Sequence, residues 1–438
     1  MVDIVLPSEM LLVGCSSSDL FSTLVIDPRT GTSSWSHKGN ELQGGCIGRT
    51  LPLGRDGEHV VISMKDRPFF HFIGLNSHER YHQRTTVAGP ICDFTSNSDG
   101  SLLFASIDKR IFVWLMSTGE LLSVRESHLQ DIKCLSLSED DSLLVSASED
   151  GIVKVHVVSD LLSDSSESFR EWRAHSLSVR GLSLSSGSVR VASCSIDHTA
   201  SIHSVALDLC LLRISCDRPL TSIVLCPSES RLVLGSDIGI VVCLSLHHCA
   251  RKDQKEVLLS TTNPSAGDFL LKANHKTEIS RLAFSSDGAV VSSGDVEGKY
   301  TIWQLSTRQV LKEGSLNGPI SSLSFLPSWT SLSNRPNKSI VRPKGELQRM
   351  MSERKEIELL KKGERDTQRE WMEILEESME RKEVNEEENG DEDEIVQIFP
   401  PSHDSKFIKK LQAENTRLKK VNTELYAFAS KELLNKNA

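Results

Sequence analysis

Acidic residues recur along the chain, and each is followed six positions later by a residue inside a β-rich run. The clearest pairs are Asp108 with Trp114, Asp150 with His156, Asp197 with His203 and Asp237 with Cys243. Weaker copies are Asp19 with Val25, Asp66 with Phe72 and Glu297 with Trp303. A carboxylate can act as a general acid or base, but it can also accept backbone N–H bonds in a tight turn. Because the acid recurs at one place in a repeat, we predict that all seven are structural turn residues.

Other arrangements that would indicate an enzyme do not appear in the sequence. His156 and His203 could form a catalytic pair, but each fills a repeat position that a blade residue should occupy. The chain contains no GxSxG motif and no phosphate-binding P-loop. Its ten cysteines include no CxxC pair and no Cys/His spacing of a zinc site. We therefore predict no catalytic residue, no metal and no cofactor.

The elements that carry these residues repeat about every 40 residues, a period typical of propellers and solenoids. The clearest copies read SLLFASIDKRIFVWLMSTGE, SLLVSASEDGIVKVHVVSD and VRVASCSIDHTASIHSVALD. Each consists of a β-rich run, small residues, an acid and a second alternating run, which is the pattern of a hairpin. Residues 9–37 supply three strands without a first one, and residues 319–325 supply a first strand alone. The sequence therefore predicts a closed propeller of seven four-stranded blades over residues 1–326.

One spacing between turn acids is longer than the others, at 60 residues from Asp237 to Glu297. The surplus lies at about residues 247–273, which we expect to form a surface loop. Such a loop could bind a partner or could be tolerated extra length.

Four further segments follow the propeller. Residues 327–344 are predicted to be a linker, residues 345–382 a charged amphipathic helix, and residues 383–405 an acidic disordered segment. Residues 406–438 show heptad spacing of a coiled-coil-like helix. Its predicted assembly positions are Ile408, Leu411, Asn415, Leu418, Asn422 and Leu425. The helix could self-associate, or it could pack on another subunit or on the propeller.

Composition places limits on the partners. The 438 residues are 38% hydrophobic and 25% charged, as expected of a folded soluble protein. The formal net charge of −10 disfavours broad capture of nucleic acid, which requires neutralisation of phosphates. No apolar stretch reaches the roughly 18 residues needed to span a bilayer, so we expect an intracellular protein with no membrane partner.

The repeats resemble those of the WD-repeat family, whose blades carry a His before the first strand, a Ser, a turn Asp and a Trp. Three blades match this pattern best. The first contains His128, Ser148 and Asp150, the second His175, Ser195 and Asp197, and the third His275, Ser293 and Trp303. In the last of these Glu297 replaces the Asp. The sequence departs from the family at His156 and His203, which occupy the Trp position, and no blade ends in the WD dipeptide.

The whole chain resembles the Ipi/WD-repeat-eighteen family. The segments LKKVNTELYAFASKELL, SEDGIVKVHVVSDLL and VRVASCSIDHTASIH carry this resemblance. It implies an all-β, seven-bladed WD-repeat β-propeller with a C-terminal α-helical, coiled-coil tail.

The resemblance also implies a function, that of a non-enzymatic scaffold in the nucleolus and nucleoplasm. Such a protein supports maturation and transit of the pre-large-subunit ribosome, including removal of the internal spacer from rRNA. The implied partners are a proline-, glutamate- and leucine-rich scaffold of a Rix-type complex, a LAS-type endoribonuclease module, a SUMO protease and the midasin ATPase. The alternative is a substrate-recognition propeller of a ubiquitin ligase, although no blade ends in the W-D-x-R motif that would support ligase docking.

Overall fold

Seven β-sheets make up the part of the chain that the computed structural model describes. Those residues are 9–16, 23–37, 47–54, 59–74, 82–163, 168–187, 189–247, 256–260, 269–271, 275–326 and 347–350. Six of the sheets have four strands and one has five, and together they form a β-propeller. The predicted seven-bladed, nearly all-β architecture is confirmed.

The strands follow the chain blade by blade. Blades 1 to 3 contain, in chain order, β1 (Met10–Cys15), β2 (Thr23–Ile26), β3 (Ser33–His37), β4 (Ile47–Leu53), β5 (His59–Met64), β6 (Phe69–Gly74), β7 (His82–Thr86), β8 (Ile91–Ser96), β9 (Leu102–Ile107), β10 (Arg110–Leu115) and β11 (Glu120–Glu126). Blade 4 contains β12 (Ile132–Leu137), β13 (Leu143–Ser148), β14 (Ile152–Val157), the short helix α1 (Val158–Leu162) and β15 (Arg170–Arg173).

The remaining strands complete the ring. Blades 5 to 7 contain β16 (Val179–Leu184), β17 (Arg190–Ser195), β18 (Thr199–Ser204), β19 (Leu209–Cys216), β20 (Leu220–Leu225), β21 (Arg231–Ser236), β22 (Val241–Ser245), β23 (Glu256–Leu259), β24 (Phe269–Leu271), β25 (Ile279–Phe284), β26 (Val290–Asp295), β27 (Lys299–Gln304) and β28 (Gln309–Ser315). The last strand, β29 (Ile320–Leu326), belongs to blade 1.

The second strand of each blade is the most buried. β13 reads LLVSAS and β17 reads RVASCS, and in both strands every residue after the first is buried. Neighbouring blades pack face to face, so a second strand meets protein on both sides. Both faces of this strand must therefore pack closely against other residues. Apolar residues in the first half of the strand and small residues in the second half allow this packing.

The two ends of the propeller region meet in blade 1. β29 pairs antiparallel with β1, from Met10 opposite Leu326 to Cys15 opposite Ile320. β2 and β3 then complete the sheet. The predicted closure of the ring by both ends of the propeller region is therefore confirmed, and it covers a sheet edge that would otherwise be free.

The innermost strands surround the axis of the propeller. They are β29, β4, β8, β12, β16, β20 and β25, and each contacts the next to form a closed ring. All seven begin at the same face of the propeller, because each follows the loop that enters its blade from the preceding one. Residues at the same distance from the start of these strands therefore lie at about the same depth in the axial channel.

The segment 247–273 is not a simple surface loop, so that prediction is wrong. Its residues include β24, the outer strand of blade 6, and β23, which pairs parallel with β19 and makes blade 5 five-stranded. Leu259 of β23 is buried with Leu212 and Ile214, whereas Leu258 is 84% exposed. The insertion thus covers the outer edge of blade 5 and buries one leucine there.

Of the predicted tail, only residues 347–350 lie within the described part of the structure. They are not helical, in contrast to the predicted helix over 345–382, because Leu347 is buried against the propeller. The linker 327–344, the acidic segment 383–405 and the helix 406–438 lie outside the described residues and remain predictions.

Candidate functional site: the blade networks and the tail anchor

The turn acids fall into two structural groups. Asp66 and Asp108 are exposed and have positive φ values of 58° and 53°, so they form left-handed turn positions. Asp150 and Asp197 are half-buried, and each carboxylate accepts the backbone N–H two residues further along the chain, at 2.9 Å and 3.0 Å. Asp19 lies outside the described residues.

In blade 4 a polar network joins the entering loop to the second and third strands. His128 Nε2 lies 2.8 Å from Ser146 Oγ, and His128 Nδ1 lies 3.4 Å from Asp150 Oδ2. Ser146 Oγ also lies 3.2 Å from His156 Nε2. Burial, together with the charges of His128 and Lys154, lowers the pKa of His156 to about 3. His156 is therefore a neutral structural residue at ordinary pH.

Blade 5 repeats this network. His175 Nε2 lies 2.9 Å from Ser193 Oγ, and His175 Nδ1 lies 2.8 Å from Thr199 Oγ1 and 3.5 Å from an Asp197 oxygen. Burial alone would raise the pKa of Asp197, but hydrogen bonds from His175, Thr199 and the Ser176 N–H hold it well below its ordinary value. Asp197 therefore stays ionised in the folded protein.

His203, in the position of the repeat Trp in blade 5, also has a structural role. Its ring stacks on Trp172 with 4.8 Å between centroids and an interplanar angle of 14°. Burial, together with the charges of His175 and Arg213, lowers its pKa to about 4. His156 and His203 belong to different blades, so the structure does not bring them together as a catalytic pair.

In blade 7 the acid that contacts the histidine is Asp295 and not Glu297. His275 Nδ1 lies 2.9 Å from Asp295 Oδ2, and His275 Nε2 lies 2.5 Å from Ser293 Oγ. The second oxygen of Asp295 accepts the Lys299 N–H at 2.7 Å. Glu297 is exposed and pairs with the Lys299 ammonium group at 3.1 Å. The acid has moved two residues toward the N-terminus, so spacing alone selected the wrong carboxylate.

Spacing also selected the wrong serine in two blades. The hydroxyls that contact His128 and His175 belong to Ser146 and Ser193, two residues before Ser148 and Ser195. Ser148 and Ser195 instead donate to carbonyl oxygens of the loop that enters their own blade. A side chain in a strand changes faces at every residue, so positions two apart share a face and are hard to distinguish from sequence.

Blade 6 departs furthest from this pattern. The Asp237 N–H donates to the carbonyl of Pro219 at 3.4 Å, and no histidine precedes β20 in the entering segment 217–219. Cys243, six residues after Asp237, is buried in the core. The turn acid of this blade therefore stands without the histidine network.

A serine, a histidine and an aspartate in contact are also the groups of a hydrolase triad. Here the side chains of His128, His175 and His275 are fully buried, and the arrangement occurs in three blades. A nucleophile must reach its substrate, whereas Ser293 has no exposed surface. The networks consequently fasten each entering loop to the turn between the second and third strands.

Residues 347–350 form a tail anchor on blade 3 that the sequence analysis did not find. The Trp114 indole N–H donates to the Gln348 carbonyl at 2.9 Å, and the Gln348 N–H donates to the Gly119 carbonyl at 2.9 Å. The Leu121 N–H donates to Gln348 Oε1 at 3.3 Å. Leu347 is buried in the cluster that contains Phe70 and Phe94, between blades 2 and 3. The tail therefore leaves the propeller from a fixed place.

The face that carries the fastened loops and turns also exposes apolar side chains. Leu129 and Leu177 of the entering loops are 77% and 53% exposed, and Ile238 and Val296 of the turns are 40% and 41% exposed. They extend along blades 4 to 7. Exposed apolar residues held by rigid loops are typical of a surface that binds protein partners.

The described residues hold neither a metal-binding group of side chains nor a helix able to cross a membrane. In the described part of the chain, no three or more His, Cys, Asp or Glu side chains are grouped so that they could hold a metal ion. The same residues contain no helix with the length and apolar character that crossing a bilayer requires.

The chain is similar to WD-repeat proteins across most of its length. The WD domain, G-beta repeat model matches residues 119–156 and 166–204, the two segments in which the turn Asp and its histidine both keep the repeat spacing. The pre-rRNA-processing protein pro-1 of Caenorhabditis elegans is 39% identical over 382 residues, which are 86% of this chain and 72% of that protein. The chain belongs to the Ipi/WD-repeat-eighteen family.

More distant members of this family match about three quarters of the chain. WD repeat-containing protein 18 of Danio rerio is 25% identical over 328 residues, which are 74% of each chain. The human protein of that name is 22% identical over 332 residues, again 74% of each chain. The family resemblance identified from the central blades and the terminal segment is therefore confirmed.

Proposed function

We propose that this protein is a non-enzymatic scaffold subunit that supports processing of large-subunit rRNA, including removal of the internal spacer. The observation that carries this proposal is the 39% identity, over 86% of the chain, to a relative named for pre-rRNA processing. Similarity over so much of the chain includes the propeller and is not limited to a repeat signature. The protein would act in the nucleolus and nucleoplasm.

The geometry supports a role in positioning partners. The serine, histidine and aspartate groups are buried and fasten loops, so they are not available to a substrate. The same networks fasten the loops and turns of blades 4, 5 and 7, which expose Leu129, Leu177 and Val296. A rigid face lowers the entropy cost of binding a partner, because its loops are already ordered.

The tail anchor supports a second contact region. Leu347 and Gln348 fix residues 347–350 on blade 3. We propose that the helix 406–438 joins the protein to the other subunits of a Rix-type complex. These are the proline-, glutamate- and leucine-rich scaffold, the LAS-type endoribonuclease module and the SUMO protease, with midasin and the pre-large-subunit ribosome as further partners.

Depletion and rescue test this proposal. Cells depleted of the protein should accumulate large-subunit rRNA precursor that retains the internal spacer, and re-expression of the full chain should remove it. The tagged full chain should co-purify with pre-ribosomal proteins. Normal precursor levels after depletion would contradict the proposal, and co-purification with a cullin-type ubiquitin ligase in place of pre-ribosomes would favour the alternative function.

A further inference from the structure

Three arginines from different blades line one cavity in the axial channel. Arg49 is the third residue of β4, Arg180 is the second of β16 and Arg281 is the third of β25. They therefore lie near the starts of the innermost strands, at a similar depth and close to the face with the fastened loops. The cavity that all three line has a volume of about 90 Å³.

The positive charges of the cluster are only partly balanced. Arg49 forms an ion pair with Asp93. Arg281 Nε donates to the Ser321 carbonyl at 3.0 Å, and neither Arg281 nor Arg180 pairs with a carboxylate among the described residues. Three guanidinium groups thus share one buried carboxylate.

Asp93 cannot neutralise the whole cluster, because its position is fixed by other bonds. Its two oxygens accept the backbone N–H groups of Phe94 at 2.7 Å and Leu135 at 2.8 Å. The nearby Lys133 adds no free charge, because it pairs with Glu149 at 3.1 Å and lies 3.9 Å from Asp131. The unbalanced charge therefore belongs to the arginines.

The charges of the three arginines all act on the Cys134 thiol, which is buried on the innermost strand β12. Burial raises the pKa of the Cys134 thiol, and the charges of Arg281, Arg49 and Arg180 all oppose that rise. Burial and the charge of Arg281 also lower the pKa of Arg49 to about 9. Arg49 and Arg281 are half-buried and Arg180 is exposed. Like charges brought together destabilise one another, and a bound anion would offset that cost.

We propose that Arg49, Arg180 and Arg281 form an oxyanion-binding site in the axial channel that takes a phosphate group. The guanidinium group is planar and matches phosphate with paired hydrogen bonds, so arginine is the residue that such a site requires. A cavity of about 90 Å³ can hold a few water molecules or one small oxyanion. The apolar side chains of Leu51, Leu182 and Ile223 complete the lining.

The phosphate group could be free or could be a monoester carried by another molecule, and two probes distinguish these sources. Inorganic phosphate and O-phosphoserine would be titrated into the purified full chain by calorimetry, at constant ionic strength set with chloride. Saturable binding of inorganic phosphate is expected for a free anion. Binding of O-phosphoserine alone would support the same site with a monoester ligand.

Variants connect the binding to the cluster. Arg180→Gln and Arg281→Gln should each weaken binding by about tenfold or more, as expected for loss of a charge-assisted hydrogen bond. Arg110→Gln is the matched control, because Arg110 is 57% exposed on β10, a strand that does not line the channel, and should leave the affinity unchanged.

A thermal melt separates binding from a structural effect of the substitutions. Phosphate should raise the Tm of the wild-type protein and of Arg110→Gln, and should have little effect on Arg180→Gln. Without phosphate, Arg180→Gln should be as stable as the wild type or more stable, because one of the repelling charges is gone. The proposal is overturned if neither probe binds, or if both channel variants bind as tightly as the wild type.

Discussion

Half-buried carboxylates help to hold the entering loops of blades 4 and 5. Asp150 and Asp197 each accept a backbone N–H and lie beside a buried histidine. Their replacement by alanine leaves these donors unpaired, which should lower the free energy of unfolding by about 1–3 kcal/mol. Denaturant unfolding of each variant measures this change, and unaltered midpoints for both would show that the two acids contribute nothing to stability.

Blade 7 offers a matched pair of acids for the same comparison. Asp295 has no exposed surface and bonds both His275 and the Lys299 N–H, so Asp295→Ala should cost about 1–3 kcal/mol. Glu297→Ala removes an exposed ion pair two residues away and should cost less than about 1 kcal/mol. Comparison of the unfolding free energies of the two variants tests whether Asp295, and not Glu297, is the structural acid of this blade. Equal losses of stability would argue against that assignment.

Buried neutral histidines should make the propeller sensitive to mild acid. The pKa of His156 is lowered to about 3 and that of His203 to about 4, whereas an unfolded histidine titrates near 6.5. Between about pH 6.5 and 4 the unfolded chain binds protons that the folded chain does not, so stability falls as the pH falls. Each such histidine contributes at most about 1.4 kcal/mol per pH unit.

A single substitution tests this pH dependence. His203→Phe keeps an aromatic ring against Trp172 but removes one titrating group. The decrease in unfolding free energy from pH 6.5 to 4.5 should therefore be smaller in the variant, by up to about 1.4 kcal/mol per pH unit. Curves of equal slope for the variant and the wild type would contradict the assignment of His203 as a buried neutral residue.

At the scale of elements, local patterns predicted the blades well and long-range contacts poorly. The alternating runs around Asp150 and Asp197 are complete hairpins, so their strands could be predicted from neighbouring residues alone. β23 has four residues, and it pairs with β19, which is distant in sequence. Leu347 likewise packs against aromatic residues more than two hundred positions earlier. Neither contact has a local sequence signal, because the partner surface exists only after the propeller has formed.

The tail anchor should contribute measurably to the stability of blades 2 and 3. Leu347→Ala removes a buried side chain from the cluster of Phe70 and Phe94, which should cost about 2 kcal/mol or more. Met350→Ala is the control in the same segment, because Met350 is 83% exposed, and it should have little effect. Thermal melts of both full-length variants measure the difference.

Hydrogen exchange locates the effect of the anchor. The Leu121 N–H donates to Gln348, so in Leu347→Ala its exchange should be faster than in the wild type. Amides in blade 6, such as those of β21, should keep their protection. If Leu121 exchanged at the wild-type rate in the variant, residues 347–350 would not be an anchor.

The whole molecule combines a closed ring with a tail that starts at a fixed place. Pairing of β29 with β1 makes both ends of the propeller region part of one sheet. The sequence already predicted this closure, because the strands at each end of the region form an incomplete blade. The position of the anchor and the arginine cluster in the channel could not be predicted in this way. The anchor depends on contacts of residues 347–350 with blades 2 and 3, and the arginine cluster depends on which residues of different blades come together around the axis.

The predicted helix 406–438 should carry assembly information that the propeller lacks. Leu411, Leu418 and Leu425 recur every seven residues, and Asn415 and Asn422 at the neighbouring positions restrict which helix can cover them. Leu418→Glu with Leu425→Glu should therefore leave the melting temperature of the propeller unchanged. The double variant should nevertheless no longer co-purify with pre-ribosomes, and precursor rRNA that retains the internal spacer should accumulate.

A charge change on the opposite side of the same helix provides the control. Lys420 is five positions after Asn415 in the sequence, which is an outer position of the predicted heptad, so Lys420→Glu should keep both co-purification and rRNA processing. Burial of a leucine against a partner contributes on the order of 1.5–3 kcal/mol, so two charged replacements should abolish packing that one charge at an outer position of the predicted heptad leaves intact. If the double leucine variant assembled normally, the propeller or the segment before residue 406 would have to supply the contact with the complex.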